Sequence, residues 1–157
     1  MKKISIELYY GALIGTGVFI WLILEFLFGL HDKHHNIFTK VTHFVLLIPT
    51  IGIYKGIFKK KKSRIKNPFS FKQGFLTGAS ISIIYTAIAA FGQLFYHKLV
   101  NKRYFEFMIQ QSREKGIPLE DAQSYFNTSN YVLSVIVTYF LFGVIISIIV
   151  STFARRA

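Results

Sequence analysis

Four apolar stretches alternate with short polar ones along the chain, and the spacing predicts an all-α integral membrane protein. The first, residues 9–30, runs for 22 residues broken only by Glu25. At about 1.5 Å per residue, a helix of that length crosses a hydrocarbon core of about 30 Å. The turn His31-Asp32-Lys33-His34-His35-Asn36 leads to the second, residues 37–58, whose uncharged middle is only 14 residues. Lys40 and Lys55 extend it, because their methylene stems reach the two interfaces while the ammonium groups stay in water. Pro49 is expected to kink it. The third stretch, residues 73–96, carries no formal charge over 24 residues, and the fourth, residues 131–153, is uncharged up to Arg155-Arg156.

Between the last two stretches lies the one sizeable polar segment, residues 97–130. Val100, Tyr104, Phe107 and Met108 recur there at helical spacing opposite Lys102, Glu106 and Arg113, which predicts an amphipathic helix continuing from the third span. Gly116 reads as its stop, Pro118 as the first turn of a second short helix, and residues 127–130 as the polar break before the last span.

Charge orients this pattern. Lys59, Lys60, Lys61, Lys62, Arg64 and Lys66 stand close together in a predicted loop, residues 59–72, and cations beside spans stay on the cytoplasmic side. If the second stretch did not cross, that loop would share the outer side with the histidine turn, against the positive-inside rule. The result is four transmembrane helices, N-in and C-in, forming a single membrane domain over residues 1–157. Twelve of the 19 Lys and Arg then fall inside and seven outside. Lys2 and Lys3 precede an apolar run too long for a signal peptide's core and without a small-x-small cleavage site, so the first span is expected to stay attached.

A net charge of +12 raises the question of nucleic acid, but the cations cluster at the ends of apolar runs and the basic loop has no stacking aromatics. The expected partner is the bilayer and its anionic inner leaflet, with no nucleic acid. With no cysteine, disulfide scaffolds and thiolate metal sites are excluded. No Gly-x-Ser-x-Gly, His-Glu-x-x-His or phosphate-cradling glycine loop occurs, so no enzyme is expected and no cofactor is implied.

Small residues recur at four-residue spacing on every span: Gly11 and Gly15; Gly52 and Gly56; Gly74, Gly78 and Ser82; Gly143, Ser147 and Ser151. Lipid tails offer little hydrophobic drive between helices, so close backbone approach at such positions supplies the packing. All lie toward the cytoplasmic half, which predicts a bundle tight inside and wider outside. The six-residue segments beginning at Tyr10 and Gln73 also look alike at an offset of 63, a hint of two parallel hairpins.

Glu25 is the one acidic residue inside a span, and an intramembrane carboxylate costs several kcal/mol unless it is paired, protonated or hydrated. Trp21, four residues earlier on the same face, is placed to donate its indole N–H. His43 on the second span and Gln93 on the third reach a similar height. The candidate polar site is therefore Glu25, His43, Gln93 and Trp21, either binding a cation or proton or serving as an interhelical clamp. His31, His34 and His35, with Asp32, are of metal-ligating types, but a set confined to one turn seldom closes a tetrahedron; solvated interfacial histidines and no metal are expected.

The segments Tyr10-Gly11-Ala12-Leu13-Ile14-Gly15, Phe69-Ser70-Phe71-Lys72-Gln73-Gly74 and Gly116-Ile117-Pro118-Leu119-Glu120 resemble those of a bacterial membrane-protein family, domain of unknown function 4199. The resemblance implies four helices and a multi-pass place in the bacterial inner membrane. It transfers no activity and no catalytic residues. Two functions remain open: a non-enzymatic interaction or accessory protein whose outer helices meet a partner, or a small transporter or channel-like protein using Glu25 and His43, as a monomer or homo-oligomer. Exposed aromatics on the outer helix, such as Tyr104, Phe105 and Phe107, would favour the first, and a water-filled cavity reaching Glu25 the second.

Overall fold

A computed structural model describes residues 4–31, 40–63 and 68–155. Within them the chain is all-helical. Ser5 opens α1 (Ile6–Leu27), its hydroxyl accepting from the Leu8 N–H at 3.2 Å. The helix ends three residues before the predicted limit because Gly29 takes a left-handed conformation, φ 65°. The Gly29 N–H then donates to the Phe26 carbonyl and the Leu30 N–H to the Glu25 carbonyl, both at 2.9 Å, a Schellman closure.

The second apolar stretch is a five-residue 3₁₀ turn, Thr42–Leu46, running into α2 (Leu47–Lys62). One expectation is corrected here. Lys59, Lys60, Lys61 and Lys62 form the last helical turn and not a loop, since cations are favourable at a helix C-terminus. Pro49 sits in the first turn of α2, where its missing N–H costs little, and the chain adjusts through the 3₁₀ turn before it. Arg64 and Lys66 lie outside the described residues.

A capping box starts α3 (Phe71–Phe95) two residues early: the Ser70 hydroxyl accepts from the Gln73 N–H, and the Gln73 amide oxygen from the Ser70 N–H. This helix does not continue straight outward. It loosens into a π-helical turn, Tyr96–Val100, and breaks at Asn101 before α4 (Tyr104–Glu114). Gly116, φ 85°, ends α4 with the same closure seen after α1, and Pro118 precedes α5 (Leu119–Tyr125). Asn127 caps α6 (Thr128–Ala154) by accepting from the Asn130 N–H at 3.0 Å.

Three of these helical runs, Ile6–Leu27, Phe71–Val100 and Thr128–Ala154, are long and apolar enough to cross a membrane. Helix α3 packs against α1, α2 and α6, and α2 touches the same two flanking helices. Ile14, Ile53, Ile57, Ile81 and Tyr85 are fully buried where they meet. Leu133, Val137, Leu141 and Ile145 on α6 face outward. At one end, Lys60 pairs with Glu7 at 2.7 Å and Lys61 donates to the Ala154 carbonyl at 2.9 Å. The start of α1, the end of α2 and the end of α6 therefore share one pole of the bundle.

Candidate functional site

At the pole carrying the lysines the helices approach through small residues. A Cβ built on Gly11 would lie 2.6 Å from Ile84, and one on Gly15 2.7 Å from Ile88, so α1 and α3 run parallel in near contact. Gly74 faces Ser151, Gly78 faces Ser147 and Gly143 faces Ser82, an antiparallel seam between α3 and α6. Gly52 abuts Ile14, and a Cβ on Gly56 would meet Ile81 at 2.5 Å. Ser82 and Ser147 are fully buried and return their hydroxyl protons to the Gly78 and Gly143 carbonyls at 2.8 and 2.6 Å. Of the cations at this pole, Lys60 and Lys61 are used within the bundle, while Lys59 and Lys62 are exposed.

At the other pole the helices part around a cavity of about 80 Å³. It is lined by Trp21, Glu25, His31, Gln93, Tyr96, His97, Tyr104 and Tyr131, above an apolar floor of Val18, Leu22 and Val45. Glu25 is 4 % exposed; Trp21 Nε1–H donates to its Oε1 at 2.7 Å, and His31 Nε2 stands 3.5 Å from its Oε2. His31 Nδ1 is hydrogen-bonded to the Tyr96 hydroxyl, which also accepts from Asn101 Nδ2 at 2.9 Å. With Asn101 donating to the Tyr96 oxygen, a Tyr96 O–H that donates to His31 Nδ1 leaves His31 Nε2–H to face the carboxylate. A polar chain thus runs from Asn101 through Tyr96 and His31 to Glu25. Among the described residues, no Lys or Arg lines the cavity.

Two further polar side chains face the cavity unanswered by protein. Both ring nitrogens of His97 and the Oε1 of Gln93 are buried without a hydrogen-bond partner. His97 is 5 % exposed and packs against the rings of Tyr96, Tyr104, Phe105 and Tyr131, with centroids 4.5 to 5.0 Å away. Buried polar atoms of this kind are normally satisfied by water, and 80 Å³ is several times the minimum of about 15 Å³ that one water requires. Outside lies a vestibule of about 370 Å³ lined by Asn101, Arg103, Glu106, Phe107 and Gln110. His31 and Tyr104 line both spaces and form the wall between them. Burial, then the neighbouring Tyr131, Tyr96 and Glu25, push the Tyr104 phenol up, so it stands in that wall as a neutral hydroxyl.

The structure brings Trp21, Glu25 and Gln93 together but not His43, which is exposed and lines a separate space with Lys40, Leu46 and Phe142. The reason is the 3₁₀ turn. Residues three apart eclipse in it, so Thr42 and Val45 face the polar cavity while His43 and Leu46 face away. His31 holds the place expected of His43, and it is buried at 2 % exposure, not solvated; Asp32, His34 and His35 lie outside the described residues. Nor does Glu25 clamp a second helix directly. Among the described residues it bonds Trp21 of its own helix and reaches the π-helical turn after α3 through His31 and Tyr96.

Sequence reasoning passed over His97 and placed Tyr104 among the exposed aromatics of the outer helix, where the structure buries it. His97 lies four residues after Gln93, so the helical period that selects Gln93 also selects His97. Tyr104 is buried, its hydroxyl 3.5 Å from that of Tyr131.

No curated protein and no solved structure matches the chain. The family model described as protein of unknown function (DUF4199) matches residues 9–156, nearly the whole sequence, and the chain belongs to that family.

Proposed function

We propose that the chain is a small, non-enzymatic transporter-type membrane protein that binds a proton or small cation at Glu25. The observation that carries this reading is the cavity: a buried carboxylate bonded by Trp21 and facing His31, with no Lys or Arg among the described residues that line it, beside unpartnered His97 and Gln93. A carboxylate so placed in a bilayer requires a proton or a cation. The arrangement matches a hydrated cavity reaching Glu25, while Tyr104 is buried against it instead of exposed for a partner.

The reading includes four crossings with both chain ends cytoplasmic, in a bacterial inner membrane. Support for the second crossing comes from length: the 3₁₀ turn at about 2 Å per residue and α2 at about 1.5 Å together span about 34 Å. The shared pole of Glu7, Lys60, Lys61 and Ala154 supports an even number of crossings. Exposed Lys59 and Lys62 would meet anionic lipid there.

The test is reconstitution into liposomes with a pH-sensitive dye inside and an imposed proton gradient. Flux above protein-free vesicles, abolished by Glu25→Gln, is expected. Flux equal to the empty vesicles, or unchanged by the substitution, would overturn the proposal. An accessory role is favoured by one observation, the exposure of Ile117, Leu119 and Tyr125 at the outer α4–α5 turn. Crosslinking in native membranes that recovers a stoichiometric partner on residues 97–130 would support it; recovery of only monomer or homo-oligomer would not.

A further inference from the structure

Resting on that reading, we propose that the ligand of the Glu25 cavity is a small protonated amine, ammonium or a short primary alkylammonium, admitted from the vestibule. The lining is specific in what it offers. Gln93 Oε1 is an acceptor, a neutral His97 presents one acceptor nitrogen, and Glu25 keeps lone pairs beyond those engaged by Trp21 and His31. These acceptors sit among π faces, since Trp21, Tyr96, His97, Tyr104 and Tyr131 all line the space. Dispersed N–H donors on a cation suit that mixture, and aromatic faces attract such cations, more strongly once water is removed. Hard metal cations fit it poorly. Calcium and magnesium take six or more oxygens, and among the described residues no group of three or more metal-ligating side chains is gathered.

Size narrows the class further. A cavity of about 80 Å³ holds two or three waters at about 30 Å³ each, and so a ligand of about as many heavy atoms. Below it the lining turns apolar at Val18, Leu22 and Val45, which suits a methyl or ethyl tail directed inward. Entry follows from the shared wall. Among the described residues, His31 and Tyr104 line both the cavity and the vestibule, where Glu106 offers a carboxylate near the way in.

The experiment is equilibrium binding of radiolabelled methylammonium to the purified full chain in nanodiscs, with unlabelled competitors. Saturable binding is expected, displaced by ammonium and ethylammonium but not by excess sodium or potassium. Tetramethylammonium, which has no N–H to donate, should fail to compete. Glu25→Gln should weaken binding by more than about ten-fold, the worth of a charge-assisted contact. Gln93→Met should weaken it less, and serves as a second variant should Glu25→Gln not fold. Equal displacement by sodium, or no saturable binding, overturns the inference. If Glu25-dependent proton flux persists without methylammonium binding, the ligand class falls and the proton site stands; if flux is also missing, both fall.

Discussion

Gly78→Ala tests the seam that holds α3 to α6. A methyl at Gly78 would lie 2.6 Å from Ser147 Cβ, closer still to its Oγ, and 3.1 Å from Ile57 Cδ1. Carbon atoms prefer about 3.5–4.0 Å, so α3 and α6 must separate locally by roughly 1 Å, a gap that forfeits about a quarter to a half of each contact's attraction. The obstacle is a Cβ close to the backbone, not the end of a flexible chain, so overpacking falls toward the upper end of its usual range, about 3 kcal/mol. Alanine's better helix propensity returns about 1 kcal/mol. The net expectation is a loss of about 2 kcal/mol, read as a lower midpoint in detergent-titrated unfolding followed by circular dichroism. Gly17→Ala is the control: its methyl would meet Ile48 alone, Cγ2 at 3.2 Å and Cδ1 at 4.0 Å, so the side chain must give by only a few tenths of an ångström and alanine's helix propensity of about 1 kcal/mol should leave the change near neutral. Pairing Gly78→Ala with Ser147→Gly should restore most of the loss, because the two sites are coupled. A Gly78→Ala protein as stable as the parent would refute the close approach.

Three other outcomes follow from the same structure. Replacing Lys59 and Lys62 with Gln should weaken binding of anionic-lipid nanodisc components without changing the unfolding midpoint, whereas Lys61→Met should lower that midpoint by about 1 kcal/mol through loss of its bond to the Ala154 carbonyl; equal effects of the two variants on stability would argue against the division of roles. Because the sequence has no cysteine, single cysteines report topology cleanly: Gln123→Cys should label with an impermeant maleimide in intact cells, and Ser63→Cys only after permeabilisation. Tyr104→Ala should speed thiol labelling of a cysteine placed at Gln93, with Phe107→Ala as the comparison, since Tyr104 lines the cavity and Phe107 only the vestibule.

The helices were legible because apolar length is a strong signal and because caps are local. Ser70-Phe71-Lys72-Gln73 even carries the start of α3, although counting charges placed it at Gln73. The pairing of Trp21 with Glu25 was legible for the same reason, four residues on one helix. What could not be read was the rotation of side chains past a change of helical period. A straight α-helix through residues 37–58 brings His43 toward Glu25, but the tighter 3₁₀ turn sends it outward. Lys59 to Lys62 were misjudged as loop because charge was weighed for topology and not for its value at a helix end.

The polar cavity owes its members to two places where a helix is made to fail. At Gly29 the left-handed turn folds the chain back on its own last turn, so His31, six residues after Glu25, returns to face the carboxylate. At Asn101 the π-helical turn closes on Tyr96 twice, the Asn101 backbone N–H on the Tyr96 carbonyl at 2.8 Å and the Asn101 side chain on the Tyr96 hydroxyl at 2.9 Å. A regular continuation of α3 would carry residue 104 onward along the axis; the break instead lays Tyr104 against His31 and His97. Restoring regular helix should therefore dismantle the site while leaving the tight pole intact. Gly29→Ala removes the residue that tolerates φ 65° and should displace His31 from Glu25, abolishing Glu25-dependent flux. Because the Gly78 and Ser147 seam lies at the opposite pole, the same variant should lose less stability than Gly78→Ala, and a larger loss would show that the turn supports the whole bundle and not the cavity alone.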